Sequence, residues 1–277
     1  MKRLAWSFLL VLLAAIIIFF SYCPVRQPNH WPIQYPTAQF SIDDVREINS
    51  ALQVGDKESI FEEPLLSQLR DWHDKYGIVA SLYIQGPFLI NSRYADELKE
   101  NSDWLRWGYH GEGEQRRKNG IGAFARQLRD SIGTMDVMDR SVRVDYYHAD
   151  LISCLKYRIM GVKAFLTADD WEYNAERRKT NYYLTSAQSN GLEDADILYD
   201  PIHDIAFVKT DIRIEHIKGD AHIPSSIHML DESNTNPDLL TIFTHERMFE
   251  DHLYIMDSLF YSIQKMVISL ASHIDAV

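Results

Sequence analysis

Two adjacent carboxylates, Asp43 and Asp44, close a strand-like run over residues 39–42. On a regular strand neighbouring side chains point to opposite faces, and burying either charge without a partner is costly. The pair reads in one of two ways. It is the acidic cap of a following turn, or a site where one Asp holds a cation while its neighbour moves a proton. Four later strand-like runs end in groups of the same kinds. Residues 104–109 lead into His110, then Gly111, Glu112, Gly113 and Glu114. Residues 142–147 carry Arg143, Tyr146 and Tyr147 and lead into His148. Residues 162–167 lead into Asp169, Asp170 and Trp171, and residues 239–244 into His245 and Glu246. Loop polarity accounts for each of these alone. Together they supply metal ligands, a general base, an orienting cation and a general acid.

The elements that must position these groups alternate along the chain. Pro64–Tyr76 is an amphipathic helix with Leu65, Leu66, Leu69, Trp72 and Tyr76 on one face, closed by Gly77. Residues 79–84 read as a strand, and 94–100, 123–132 and 151–160 as helices. Short strand candidates fall at 196–199, 206–208 and 212–214. A last helix carries Leu253, Met256, Leu259, Phe260, Ile263, Val267 and Leu270. This alternation predicts an α/β fold with a mostly parallel sheet, closed as a distorted (β/α) barrel whose strand ends converge on one face. The 277 residues, 46% of them hydrophobic, suffice for one such domain. Region 171–236 reads as an irregular insertion with a small hairpin. His73 and His203 fit no strand end and read as surface residues.

The N-terminus has its own signal. Lys2 and Arg3 precede an apolar run from Leu4 to Tyr22, long enough to span a bilayer. Phe20, Ser21 and Tyr22 lack the small residues that cleavage requires, so residues 1–22 are expected to be a signal-anchor helix. Lys2 and Arg3 would lie inside and the domain would be extracytoplasmic. Secretion after cleavage is the alternative. Residues 23–37, with Pro24, Pro28, Pro32 and Pro36, read as a stiff linker, and 38–277 as the domain. A net charge of −12 argues against nucleic acid as a partner. Cys23 and Cys154 alone make neither a disulfide framework nor a metal cluster.

The strand-end residues resemble the motifs of the polysaccharide deacetylase family of carbohydrate esterases. Ser41–Ile42–Asp43–Asp44 matches the first motif. Trp107–Gly108–Tyr109–His110 is similar to the second, Arg143–Val144–Asp145–Tyr146 to the third, Asp169–Asp170–Trp171 to the fourth, and Thr244–His245 to the last. The resemblance covers roughly residues 38–250 and rests on motif order and strand-end placement. Val45 stands where the family has Gly after the Asp pair. Glu114 stands where a second His is usual, and the third motif lacks its Pro.

The resemblance implies a metal-dependent hydrolase that removes acetyl groups from a surface or cell-wall polysaccharide. Asp44, His110 and Glu114 would hold a divalent metal, Zn²⁺ being expected, with Glu112 or His148 as other third ligands. Asp43 would be the general base, Arg143 its orienting cation and His245 the general acid, with Asp169 or Asp170 orienting Arg143 or His245. Tyr146, Tyr147, His148, Trp171 and Glu246 would face substrate. Trp104, Trp107 and Tyr109 suit a glycan cleft or a core equally well. Two other readings remain: a non-catalytic, membrane-anchored glycan binder of the same fold, and a glycoside hydrolase using two carboxylates such as Asp43 and Asp169.

Overall fold

The computed structural model of the chain describes Trp6 and residues 10–12, 37–111, 120–169, 182–192, 197–217, 239–265 and 269–270. The expected anchor and linker therefore lie almost wholly outside the described residues. No described helix is long and apolar enough to cross a membrane.

Strands β1 (Thr37–Val45), β2 (Ala80–Gln85) and β3 (Leu105–His110) pair in parallel with helices between them. These helices are α1 (Glu47–Val54), α2 (Pro64–Tyr76) and α3 (Ala95–Glu100). Helix α4 (Ile121–Ile132) leads to β4 (Ser141–Val142), and α5 (Leu151–Ile159) to β5 (Ala164–Asp169). After α6 (Ser186–Gly191), strands β6 (Ile197–Asp200) and β7 (Ile205–Thr210) form an antiparallel hairpin. Strands β8 (Ile212–Arg213) and β9 (Leu239–His245), helix α7 (Leu253–Lys265) and strand β10 (Ser269–Leu270) complete the order.

The strands form two arcs, β3-β2-β1-β9-β8 and β4-β5-β7-β6, with β10 alongside the start of β1. Bridges Trp107–Met138 and Gly111–Val144 join the arcs on one side. On the other, the Asp211 amide donates to the Thr241 carbonyl at 3.1 Å, and Thr241 N–H donates back to the Asp211 carboxylate at 2.8 Å. The result is a mostly parallel barrel with an interrupted ladder, as expected, with β6 as an antiparallel edge. On this second side Asp211 lies where the chain leaves β7 in one arc and enters β8 in the other.

Three expectations about elements are corrected. Strand β7 is a barrel strand paired in parallel with β5, so the irregular region contributes to the wall itself. The expected strand 142–147 stops after Val142, because the chain turns into a 3₁₀ segment at Asp145–Tyr147. Leu270, expected at the end of the last helix, lies in β10.

Strand periodicity sorts β1 into two buried rows. Phe40 and Ile42 belong to the main apolar core, which includes Trp72 of α2 and Phe260 of α7. Phe40 and Trp72 each pack edge-on against Phe260, at 5.1 and 5.2 Å. The alternate row of Gln39, Ser41 and Asp43 is also buried, yet polar. Gln39 Nε2 donates to Tyr83 Oη at 3.2 Å and to Ser141 Oγ at 3.1 Å, linking β1, β2 and β4 across the barrel. Glycine at 108 is required because an added Cβ would overlap the Tyr83 ring.

Candidate active site

Asp43 and Asp44 differ because β1 is irregular where they lie. The β1–β2 register shifts between Ile42 and Val45, and Asp44 adopts a left-handed backbone at φ 59°. Asp43 continues the polar row of Gln39 and Ser41 and is buried, whereas the Asp44 side chain is 28% exposed. Asp44 is thus a non-glycine residue held in a region that costs of order 1 kcal/mol or more. Val45, in place of the family glycine, rejoins the ladder opposite Ile84 and is fully buried in the core.

Arg143 follows β4 and is buried with its partner. Its Nε lies 2.9 Å from Asp43 Oδ2, a Coulombic contact rather than an aligned hydrogen bond. Nη1 donates to the Thr167 carbonyl at 3.0 Å and to Thr210 Oγ1 at 2.7 Å, and the guanidinium lies 4.1 Å from the Phe243 ring centroid. Burial works against this cation, but Asp43 and the nearby tyrosines more than offset it, so its pKa is raised. Asp43 Oδ1 and Arg143 Nη2 are buried without a hydrogen-bond partner among the described residues. Such atoms commonly mark a place where a ligand, ion or water belongs.

His110 ends β3, with Nε2 3.4 Å from Asp44 Oδ1. Two donors each 2.0–2.1 Å from a tetrahedral ion stand roughly 3.3 Å apart, so this pair fits as one edge of such a site. Among the described residues no cluster of three or more His, Cys, Asp or Glu forms a metal site. Glu112 and Glu114 lie outside the described residues. His148 is exposed after the 3₁₀ turn.

His245 ends β9 directly opposite Asp43 in the parallel register, which places the expected acid and base on adjacent strands. Its partner is a residue that the sequence analysis did not single out. Glu215, just after β8, accepts from His245 Nδ1 at 2.9 Å, from His245 N–H at 2.8 Å and from Thr244 Oγ1 at 3.1 Å. The other Glu215 oxygen accepts from Arg213 Nε at 3.0 Å. Burial pushes the Glu215 pKa up, but His245 and Arg213 reverse this and hold it at about 2.

Glu246, expected against substrate, instead caps α1. Its carboxylate accepts from the backbone N–H groups of Arg46 at 2.6 Å, Glu47 at 2.8 Å and Ile48 at 2.9 Å. A helix start has such orphan donors, and the N-cap residue Arg46 contributes no side-chain cap bond. Tyr147 has a left-handed backbone, φ 55°, and its carbonyl accepts from Tyr182 N–H at 2.7 Å. For Tyr146 and Asp169 the backbone alone is described, and Asp170 and Trp171 lie outside the described residues. Trp104, Trp107 and Tyr109 are buried core residues rather than cleft walls. His73 and His203 are half-buried rather than free on the surface. His73 stacks on Trp104 at 4.4 Å, and His203 Nδ1 lies 2.6 Å from the buried Asp200 carboxylate.

No family model matches the sequence, and no curated protein matches it. Among solved structures, a candidate polysaccharide deacetylase from Mycobacterium smegmatis aligns with a TM-score of 0.52 at 11% identity, over 90% of this chain and 92% of that one. The chain has the polysaccharide deacetylase fold. Looser likenesses are a candidate polysaccharide deacetylase of O-antigen biosynthesis from Bordetella bronchiseptica and a Streptococcus mutans CE4 esterase. The first has a TM-score of 0.42 and 11% identity over 87% of this chain and 91% of that one. The second has 0.40 and 12% over 85% and 84%. Within the deacetylase fold, four motif positions of this chain, Asp43, Asp44, His110 and Arg143, come together in two contacting pairs. His245 stands in register with the first.

Proposed function

We propose that the chain is a metal-dependent carbohydrate deacetylase acting on a surface or cell-wall polysaccharide. The observation that carries this reading is the adjacency, within one strand end, of two carboxylates with separate partners. Asp43 is buried against Arg143, and Asp44 faces His110. Asp44 and His110, with Glu114 as the expected third ligand, would hold a divalent ion such as Zn²⁺. That ion would supply Lewis acidity to the scissile acyl group. Asp43 accepts the proton of the attacking water through Oδ1, the carboxylate oxygen that Arg143 leaves free. Arg143 fixes the position of that carboxylate, and His245 returns a proton to the departing amine or alcohol. The N-terminal apolar run would keep the domain at the membrane surface, facing an extracytoplasmic glycan.

The test is metal content of the purified chain, beside Asp44→Asn and His110→Ala, followed by acetate release from acetylated glycans. About one equivalent of divalent metal, lost in both variants, with acetate release that Asp43→Asn abolishes, is the expected result. Absence of metal uptake from Zn²⁺, Co²⁺ and Ni²⁺ solutions would overturn the hydrolytic reading. Retained glycan binding without acetate release would establish the non-catalytic alternative.

A further inference from the structure

Asp44 and His110 offer a divalent ion two donors, and a held ion needs at least a third. Glu114, the third ligand expected from the resemblance, lies outside the described residues. Among the described residues another oxygen donor stands at this place. It is the amide of Gln85, the last residue of β2.

Strand β2 lies between β1 and β3, so its end separates the end that carries Asp44 from the end that carries His110. Adjacent strands stand about 4.8 Å apart, which puts β1 and β3 roughly 10 Å from one another. The 3.4 Å contact between Asp44 Oδ1 and His110 Nε2 therefore spans the end of β2. Gln85 pairs with His110 in the parallel register, so the two side chains leave the sheet on the same face. That face is the barrel interior. Leu82 and Ile84 of the alternate row belong to the main apolar core with the helices. Tyr83, in the row of Gln85, instead packs with Ala164, Leu166, Ala206 and Val208 of the other arc.

The Gln85 carbonyl has no use inside the protein. Its Oε1 is buried and accepts no hydrogen bond among the described residues. A buried carbonyl without a donor is costly, and such an atom commonly marks a place for an ion or ligand. The nearest candidate donors are otherwise disposed. Tyr83 Oη is shared with Gln39 and Ser141. His110 Nδ1 is buried as well, yet no bond joins it to its register neighbour. Being neutral, the amide offers an oxygen without adding a third negative charge beside Asp43 and Asp44.

We infer that Gln85 is the third protein ligand of the proposed divalent site, giving its Oε1 to the ion beside Asp44 and His110. Three successive strand ends then supply two oxygens and one imidazole nitrogen. Such a set accommodates a harder ion such as Mn²⁺ better than a set with two histidines does. The inference rests on the proposed ion site and differs from it in the third ligand alone.

The experiment is calorimetric titration of the full-length, chelator-stripped protein with Zn²⁺ and with Mn²⁺, together with the absorption spectrum of its Co²⁺ form. Gln85→Leu, Gln85→His and Glu114→Ala are measured alongside. Gln85→Leu should weaken Zn²⁺ binding more than about a hundredfold, beyond the ~10–100-fold that loss of an outer-shell partner costs. It should also alter the Co²⁺ spectrum. Glu114→Ala should lose less than Gln85→Leu. Gln85→His should retain uptake and raise the ratio of Zn²⁺ to Mn²⁺ affinity, because it exchanges an oxygen donor for a nitrogen. A folded Gln85→Leu protein with a smaller loss, or with the wild-type Co²⁺ spectrum, would overturn the assignment. If the leucine variant fails to fold, an unchanged affinity ratio in Gln85→His does the same. Metal uptake indifferent to Gln85 leaves the proposed site standing with another third ligand, whereas a wild-type protein that takes up no metal overturns both.

Discussion

Asp43 and Arg143 carry opposite buried charges, so removing either one tests more than activity. Arg143→Met leaves a carboxylate buried without its cation, which should cost about 3–5 kcal/mol in urea unfolding. The double change Asp43→Asn with Arg143→Met should cost clearly less than Arg143→Met alone, because it removes the uncompensated charge. Equal losses in the two proteins would mean that the pair is not coupled. Glu215 makes a prediction in pH. Its folded pKa of about 2 lies below its ordinary value of 4.5, so its contribution is fully present above pH 4.5 and is lost as pH falls toward 2. The shift corresponds to something on the order of 3 kcal/mol. The stability of Glu215→Gln should be lower at neutral pH and should vary less over that window. Asp44 has the reverse character, since its left-handed backbone suits glycine better. Compared in the metal-free state, Asp44→Gly should leave thermal stability unchanged or slightly raised while abolishing metal uptake, and a large drop in Tm there would show that the carboxylate holds the fold.

At the scale of elements, the site depends on how α1 is tied to the end of β9. The Glu246 carboxylate closes three backbone donors at the start of the helix that follows Asp44 and Val45. Glu246→Ala should cost about 1–2 kcal/mol and speed amide exchange at Arg46, Glu47 and Ile48. Unchanged exchange there would rule the cap out. This same contact explains why α1 was not legible in the sequence. No capping residue precedes Glu47 locally, and the one that serves comes from the far end of the chain. Helix α2 was legible because its signals are all local: Pro64 in its first turn, an apolar face, and Gly77 in the left-handed C-cap. Strands β1, β3 and β9 were legible with their terminal groups, since apolar runs before an acid or His are visible in one dimension. Glu215 was not, because β8 supplies only two residues of strand before the chain turns. Its significance lies in the neighbour β9, not in its own sequence context. The aromatics went the other way, for spacing alone cannot tell a ring that lines a cleft from Trp107, which fills the core.

For the whole molecule, an ion held by Asp44 and His110 would bind the folded chain and not the unfolded one. Chelation should therefore lower Tm, saturating Zn²⁺ should raise it, and Asp44→Asn should show neither shift. The barrel also has a temporal consequence. Strand β9 lies between β1 and β8, so the first strand made waits for one of the last to fill its open edge. Asp43 and His245 are roughly two hundred residues apart, which at ~5–20 residues per second is on the order of 10–40 s of synthesis. Throughout that interval the β1 edge stands unpaired on one side, a template for wrong partners. A ribosome that stalls before Leu239 would release a chain with neither a closed wall nor an acid opposite its base. The proposed site would be completed only once translation has passed His245, and a product ended before Leu239 would lack β9 and leave β1 with an open edge.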